Sequence, residues 1–272
     1  MKISMNTNVE IIQSVHNPKV KSWIRLKTKQ GRNEQGLFLI EGIKNVEEVL
    51  QSGQEVVSII YGEDKEIPDS WRTKMEQSKQ PIHLYQVSQH IIEKLAETKT
   101  PQGFFAIVKQ ELHTIETLLS HSFLLLVDEI QDPGNLGTII RSADAAGVEG
   151  IILGDGTVDP YNGKVIRSAM GSMFHLPIVK ASLDEVIPRL KESSFQVIGT
   201  SPYAKKAYFE MDYKQKTAIL VGNEARGLAE SRMEQVDQMV QIPFMGQAES
   251  LNVAIATSII LFERARQILK SS

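Results

Sequence analysis

The chain has 272 residues, of which 42% are hydrophobic and 23% charged, with a formal net charge of −3, so it holds enough apolar material for two domains or one large one. No apolar run is long enough to span a membrane, and the N-terminal stretch lacks the apolar core of a signal peptide. The absence of cysteine excludes thiol catalysis and disulfides and indicates a reducing, cytoplasmic location, and the six histidines lack HxH or HExxH spacing, so we expect no metal site.

The first 108 residues alternate short helical and strand patterns, which predicts a small α/β domain. The predicted elements are a basic helix at 18–28, a strand at 38–41, a helix at 42–53 ended by Gly53, a strand at 56–61, a polar helix near 68–78, a strand at 82–87, a helix at 88–97 with Ser88 as a candidate N-cap, and a strand at 103–108. Residues 109–122 have the pattern of a linker with a helical stretch, so the domain boundary is predicted there.

The stretch HNPKVKSWIRLKTKQGR, residues 16–32, holds six lysines and arginines and no acidic residue. Such a stretch is either a solvated helix face or a patch that contacts phosphates, since lysine and arginine can release counterions from nucleic acid. Trp23 within it is either a packing residue or a platform for a base.

A second alternation of strands and helices follows and predicts a second α/β domain. Five apolar runs predict buried parallel strands at 123–130, 150–154, 195–200, 218–224 and 239–244. Helical patterns lie between and after them at 136–147, 183–193, around 229–235 and 250–269.

Polar residues follow the first of these strands, in DEIQDPGNLGTIIRSADAAGV at 128–148. Ligands of open α/β sheets bind beyond the carboxyl ends of the strands, which is where Asn135 and Arg141 stand. Six residues correspond to about 240° on an ideal helix. Both side chains therefore face one site only if the helix starts near Leu136 and leaves Asn135 in the turn. The alternative is an Asn-capped helix with a surface arginine.

Two later strand-end loops also carry polar residues. In LVGNEARGLAE, Gly222 and Gly227 bracket Asn223 and Glu224, but the spacing fits neither a Walker A loop nor GxGxxG, so an ordinary strand-to-helix turn is the alternative. In IPFMGQAESLN, residues 242–252, the helix is expected to start close to Ser250, which an N-cap role explains well. Asn252 would then lie inside the helix, where asparagine is unfavourable without a partner.

The ordered segments NLGTIIRSADAAG, VGNEARGL and IPFMGQAESLNVAIA resemble the SpoU/TrmH family of RNA ribose methyltransferases, in the SPOUT class. The resemblance covers roughly residues 123–268. SVHNPKVK, FLIEGIKNVEEVL and TPQGFFAIV resemble the N-terminal substrate-binding domain of the family, which is similar to some ribosomal proteins. The family fold implied is α/β, with a small RNA-binding domain at 1–108, a linker at 109–122, and at 123–272 a SPOUT-type parallel sheet with a C-terminal trefoil knot.

The resemblance implies a homodimer that uses S-adenosylmethionine to methylate a ribose 2′-hydroxyl of RNA. The positions that match catalytic ones are Asn135, Arg141, Glu224, Ser250 and Asn252. The positions that match the cofactor pocket are Thr200, Gly222, Asn223, Gly227, Ile242, Pro243, Met245 and Leu251. In the basic stretch, the residues expected to contact RNA are Lys19, Lys21, Arg25, Lys27 and Arg32.

Arginine stays protonated in proteins, so we expect Arg141 to stabilise developing charge, while an RNA phosphate or Glu224 takes the hydroxyl proton. Ribosomal RNA is the expected substrate, transfer RNA is the alternative, and methylation of a drug site on ribosomal RNA is a further possibility. Another alternative is a non-catalytic RNA-binding or ribosome-assembly protein that has the knotted fold of the family. A nucleotide-binding α/β enzyme is disfavoured, because the sequence has no phosphate-binding loop.

Overall fold

The computed structural model describes residues 9–78 and 80–271 and divides into two compact units. The N-terminal unit comprises the chain up to Glu111 together with Tyr161–Phe174, and the C-terminal unit comprises Leu112–Pro160 and the chain from His175 onward. The main division thus falls within the predicted linker. The prediction placed residues 123–272 in one continuous domain, whereas residues 161–174 belong to the N-terminal unit.

The N-terminal unit is built on a five-stranded mixed sheet in the order β1-β4-β3-β5-β2. Its strands are β1 (Val9–Ile12), β2 (Leu37–Glu41), β3 (Val56–Gly62), β4 (His83–Val87) and β5 (Phe104–Lys109). Strand β5 is antiparallel to both β2 and β3, and the other pairs are parallel. Its helices from the first part of the chain are α1 (Pro18–Arg25), α2 (Lys29–Gln35), α3 (Ile43–Ser52), α4 (Asp69–Glu76) and α5 (Gln89–Leu95).

Local sequence signals explain several of these boundaries. Helix α3 ends at Gly53, which adopts a left-handed conformation with φ of 83°, so the predicted glycine stop is confirmed. Ser88 does precede α5, although its side chain makes no capping hydrogen bond. Trp23 on α1 is buried and lies against Tyr85, with 5.0 Å between ring centroids. The structure therefore supports the packing role for Trp23.

The returning segment 161–174 completes the N-terminal unit with helix α8 (Gly163–Ala169) and a short 3-10 helix at Ser172–Phe174. The ring of Tyr161 lies 4.6 Å from that of Phe38 on β2. Arg167 on α8 donates to Glu97 at 2.8 Å. Rings and ion pairs therefore fix this segment to the sheet and to the loop after α5.

The C-terminal unit contains a seven-stranded sheet in the order β10-β12-β9-β11-β6-β7-β8, and each of its pairings is parallel. Its strands are β6 (Phe123–Val127), β7 (Gly150–Leu153), β8 (Ile178–Lys180), β9 (Gln196–Thr200), β10 (Lys206–Ala207), β11 (Thr217–Val221) and β12 (Gln238–Gln241). Its helices are α6 (Ile115–Leu119), α7 (Pro133–Ala145), α9 (Leu183–Glu192), α10 (Glu230–Gln235) and α11 (Val253–Ser271). The α/β class with a parallel sheet is confirmed, and all carboxyl ends of these strands share one edge.

Three boundaries in this unit differ from prediction. Helix α7 begins at Pro133 rather than near Leu136, because the Asp132 side chain accepts from the N–H of Asn135 at 2.8 Å and proline suits the first turn. Helix α11 begins at Val253 rather than close to Ser250. Residues 109–122 are not all linker, since α6 forms there and Leu118 is fully buried in the core of this unit.

In the part of the chain that the structure describes, no helix combines the length and apolar character needed to cross a membrane.

Candidate active site

The loops at the carboxyl edge of the C-terminal sheet are joined by main-chain hydrogen bonds. The N–H of Asp128, just after β6, donates to the carbonyl of Val221 at the end of β11 at 2.9 Å. Asn223 and Gly227 exchange two such bonds, at 3.0 and 2.9 Å, which closes the loop after β11 on itself. The loops that follow β6 and β11 are therefore held as one unit.

Glu224 ties the loop after β11 to the start of α7. Its carboxylate accepts from the N–H groups of Gln131, at 3.2 and 3.3 Å, and of Asp132, at 3.0 Å. It also accepts from Nδ2 of Asn135 at 3.2 Å. Burial raises the pKa of this carboxyl, but the hydrogen bonds from Asp132, Asn135 and Gln131 outweigh that effect, so the pKa of Glu224 lies below its ordinary value. Glu224 is therefore ionised at neutral pH, with its oxygens already occupied.

Asn252 connects the third loop to this arrangement. Its Nδ2 donates to Oδ1 of Asn135 at 2.9 Å, while its own Oδ1 accepts from the N–H groups of Ala254 at 2.9 Å and Ile255 at 3.3 Å. Asn252 is thus the residue that caps α11, and the alternative in which Ser250 caps a helix containing Asn252 does not hold, because the helix begins at Val253. The side chains of Glu224, Asn135 and Asn252 form one continuous hydrogen-bonded chain across three loops.

Arg141 and Ser250 lie outside that chain of hydrogen bonds. Asn135 lies in the first turn of α7, so the six-residue spacing places Arg141 about 240° further around the helix. The condition under which both would share one face is therefore not met. Arg141 is exposed and makes no side-chain hydrogen bond or ion pair within residues 9–78 and 80–271. Ser250 is exposed in the loop before α11.

The positions matched to the cofactor pocket lie in the loops after β9, β11 and β12. Gly222 follows β11, and a Cβ there would lie 2.6 Å from the carbonyl carbon and oxygen of Gly227, so the backbone approach requires glycine. Asn223 is buried and its Nδ2 donates to the carbonyl of Glu129 at 2.9 Å. The loop after β12 is open, and Met245 within it is fully exposed. The remaining matched positions are Thr200, the last residue of β9, and, in or beside the loop after β12, Ile242, Pro243 and Leu251.

The structure weakens the predicted basic patch of the N-terminal unit. Arg32 is buried and donates to the carbonyl of Leu26 at 2.9 Å, and Lys27 donates to the carbonyls of Lys94 and Ala96 at 3.1 and 3.0 Å. These bonds stabilise the unit, and the assignment of the two residues to RNA contact stays a prediction.

The three other residues of that stretch that were assigned to RNA contact stay at the surface. Lys19 pairs with Glu10 and Arg25 pairs with Glu34. Lys21 is exposed and has no ion pair within residues 9–78 and 80–271.

The sequence patterns did not reveal an ion-pair cluster that links the end of β6 to α9 and α10. Asp128 is buried after β6, and Nε of Arg232 on α10 lies 3.4 Å from its carboxylate. Arg232 also pairs with Asp184 at 2.7 Å. Burial raises the pKa of Asp128 and Arg232 opposes the shift. Arg232 thereby fixes α10 to the end of β6. Nothing in the spacing of a lone arginine on a polar helix could have identified this role.

Within the described residues, no group of three or more histidine, aspartate or glutamate side chains is placed to hold a metal ion.

Comparison with known protein families gives two matches along the chain. Residues 122–262 match the SpoU rRNA Methylase family. Residues 17–106 match the MRM3-like substrate binding domain. Among curated proteins, the chain is 40% identical over 251 residues to the 23S rRNA (guanosine(2553)-2′-O)-methyltransferase RlmP of Bacillus subtilis, covering 92% of this chain and 97% of that protein.

Solved structures give the same result. An AdoMet-bound rRNA methyltransferase from Sinorhizobium meliloti matches with a TM-score of 0.85 and 33% identity, covering 96% of this chain and 98% of that one. The SpoU methyltransferase AviRb from Streptomyces viridochromogenes, in complex with AdoMet, matches with a TM-score of 0.84 and 29% identity, covering 93% and 98%. Sequence motifs, site geometry and these likenesses agree, and the chain belongs to the SpoU rRNA methylase family.

Proposed function

We propose that this protein is an S-adenosylmethionine-dependent methyltransferase that modifies a ribose 2′-hydroxyl of ribosomal RNA. The observation that carries the proposal is the hydrogen-bonded chain of Glu224, Asn135 and Asn252, which joins three loops at the carboxyl edge of one parallel sheet. Ligands of such sheets bind at this edge. The ribosomal substrate is supported by the relatives, which are named 23S rRNA 2′-O-methyltransferases.

The loops after β9, β11 and β12 suit an adenosine-containing cofactor that main-chain groups recognise. A side chain at position 222 would collide with the backbone of Gly227, so the main chain at Gly222 stays bare. The bridge between Asn223 and Gly227 fixes the backbone of the loop that would contact the cofactor. The residues assigned to the pocket are Thr200, Gly222, Asn223, Gly227, Ile242, Pro243, Met245 and Leu251. When bound, S-adenosylmethionine supplies a methyl group on a sulfonium centre. The strand order β12-β9-β11 is compatible with the trefoil knot that we propose for this region.

The residues of the site divide into positioning and charge-stabilising roles. Glu224 positions the 131–135 turn, and its carboxylate oxygens already accept hydrogen bonds from Gln131, Asp132 and Asn135, so we assign the ribose hydroxyl proton to an RNA phosphate beside the site. Asn135, Asn252 and Ser250 are assigned to holding the ribose, since positioning contributes much of the rate of such transfers. Arg141, whose guanidinium has no hydrogen-bond or ion-pair partner among the described residues, is assigned to the charge on the reacting oxygen or the adjacent phosphate.

Helix α11 supports the proposed homodimer. Ile255, Phe262 and Leu269 are exposed and follow one another at intervals of seven residues, so they form one apolar stripe along the helix. A second copy of the chain would cover this stripe. Phe262→Asp is expected to convert a dimer into monomers in sedimentation experiments, and an unchanged mass would remove this support. The chain contains no cysteine, in keeping with a reducing compartment, and we place it in the cytoplasm.

The direct test is methyl transfer from radiolabelled S-adenosylmethionine to bacterial rRNA and tRNA, with Asn135→Ala and Arg141→Ala variants in parallel. Label in rRNA that resists alkaline cleavage at the modified position, and that both variants lose, is the expected result. Label only in tRNA would shift the substrate to the alternative. Tight cofactor binding with no label in naked RNA or ribosomal particles would favour a non-catalytic RNA-binding protein.

A further inference from the structure

A tyrosine and a lysine stand exposed beside the candidate cofactor loops and have no role in the arrangement described so far. Tyr203 is 92% exposed, and it lies three residues after Thr200 in the loop that follows β9. Lys205 is exposed in the same loop. The segment from Ser201 to Ala207 contains two lysines and no acidic residue, in a chain of net charge −3.

This loop is fixed at both ends rather than loosely attached. The N–H of Ser201 donates to the carbonyl of Val240 on β12 at 3.0 Å. The Oγ and carbonyl oxygen of Ser201 accept from the N–H groups of Tyr203 and Ala204 at 3.2 and 3.3 Å. At the other end, Lys206 pairs with Val240 in the β10–β12 ladder. The backbone therefore holds the Tyr203 ring out toward solvent.

An isolated exposed aromatic residue is common on protein surfaces and needs no explanation. The position of Tyr203 distinguishes it, because β12 leads directly into the loop that carries Ile242, Pro243 and Met245. A ring and an ammonium group on a fixed loop match the chemistry of unpaired RNA, whose bases stack on aromatic faces and whose phosphates attract cations. In the N-terminal basic stretch, Lys19 and Arg25 are paired with glutamates and Arg32 is buried, so cations of the C-terminal unit would add to the charge that Lys21 offers to RNA.

We propose that Tyr203 and Lys205 form an RNA contact of the C-terminal unit. The Tyr203 ring stacks on an unpaired base next to the ribose that is methylated, and the Lys205 ammonium meets a neighbouring phosphate. The contact selects an unpaired nucleotide, because a base inside a duplex does not present its face. This inference rests on the proposed function, since it concerns the substrate of the same site.

The test compares wild type with Tyr203→Ala, Tyr203→Phe and Lys205→Gln, with Phe209→Ala as a control for loss of an exposed ring on the same unit. Four quantities are measured: the Kd for a 23S rRNA transcript, the kcat and the KM for its methylation, and the Kd for S-adenosylmethionine. Photocrosslinking of the same transcript carrying 4-thiouridine reports whether RNA touches the peptide that contains Tyr203.

Loss of one base stack is expected to raise the Kd and KM for RNA about tenfold in Tyr203→Ala. Tyr203→Phe keeps the ring and is expected to stay close to wild type. Lys205→Gln should reduce the slope of log K against log salt by about 1. The Kd for S-adenosylmethionine should not change in any of them, and Phe209→Ala should match wild type throughout.

Two results would overturn the inference: RNA binding by Tyr203→Ala equal to wild type, or a comparable loss of affinity for S-adenosylmethionine. If the wild type methylates RNA and Tyr203→Ala has the same Kd and KM for RNA, this inference is refuted and the proposed function stands. RNA binding by wild type without methylation refutes the proposed function, while the binding comparison still tests Tyr203. A wild-type protein that neither binds nor methylates RNA refutes both.

Discussion

Replacing Asn252 separates two functions that its side chain performs at once. Its Oδ1 caps α11 through Ala254 and Ile255, and its Nδ2 donates to Asn135. Serine retains a capping oxygen but has no amide donor to reach Asn135, whereas alanine loses both. Asn252→Ser and Asn252→Ala are therefore expected to differ in stability and to agree in activity.

The magnitudes follow from the two contacts. Loss of an N-cap costs about 1 kcal/mol, and loss of a neutral hydrogen bond at an accessible position costs about 0.5–1 kcal/mol. Asn252→Ala should thus be destabilised by about 1.5–2 kcal/mol, which corresponds to a fall in Tm of about 3–8 °C for a chain of this size. Asn252→Ser should be destabilised only by the loss of the hydrogen bond to Asn135, which is about 0.5–1 kcal/mol. Both should lower kcat about 10- to 100-fold through misplaced reacting groups.

Urea denaturation and single-turnover methyl transfer measure the two effects separately. In an Asn135→Ala background, Asn252→Ser should lower kcat by less than it does in the wild type, because the protein partner of its amide is already absent. Full activity of Asn252→Ser would refute a role for the Asn252–Asn135 bond. Equal instability of the serine and alanine variants would refute the capping role.

Three further predictions concern the same unit and the N-terminal basic stretch. Glu224→Gln should reduce stability by about 1 kcal/mol at neutral pH, since charge-assisted hydrogen bonds become neutral ones at a partly exposed site. Because the folded-state pKa of Glu224 is lowered, the wild type should lose this advantage as pH falls below about 4.3. Gly222→Ala should destabilise by about 1–3 kcal/mol and abolish binding of S-adenosylmethionine, because the added Cβ collides with the backbone of Gly227. Lys21→Glu should weaken RNA binding and reduce its salt slope by about 1.

Each of these has a measurement that contradicts it. A stability difference between wild type and Glu224→Gln that persists unchanged in acid would show that the charge of Glu224 is not responsible. Gly246→Ala is the matched control for Gly222→Ala, since a Cβ there meets no atom within 4 Å, and equal losses in both would refute the steric argument. An unchanged salt slope in Lys21→Glu would remove the N-terminal basic stretch from the RNA contact.

The sequence predicted elements well where burial leaves a continuous apolar signature. Strands β6 and β11 are fully buried and read as FLLLV and TAILV, so their positions were predictable from composition alone. Strand β1 was missed because only Ile12 of its residues is buried, and β10 has only two residues, too few for any periodicity. Helix α2, with the sequence KQGRNEQ, has no apolar residue to mark a buried face.

The candidate site was less accessible to sequence reasoning. The resemblance identified Glu224 and Asn252, but the partners of Glu224 include main-chain N–H groups about ninety residues earlier, which no local pattern records. The capping of α11 by Asn252 rather than Ser250 depends on where the helix starts, and helix boundaries are poorly determined by sequence. Arg32 had the appearance of a surface cation because its carbonyl partner Leu26 becomes visible only in three dimensions.

The return of residues 161–174 to the N-terminal unit affects the order in which the protein can fold during synthesis. Domains generally fold as units while the chain emerges, with the N-terminal one first. Here the N-terminal unit lacks the Tyr161 ring beside Phe38 and the Arg167 partner of Glu97 until Phe174 has been synthesised. Strands β6 and β7 of the C-terminal unit precede this segment in the chain and emerge from the ribosome before it, so the first unit reaches its final form only when part of the second is available to fold.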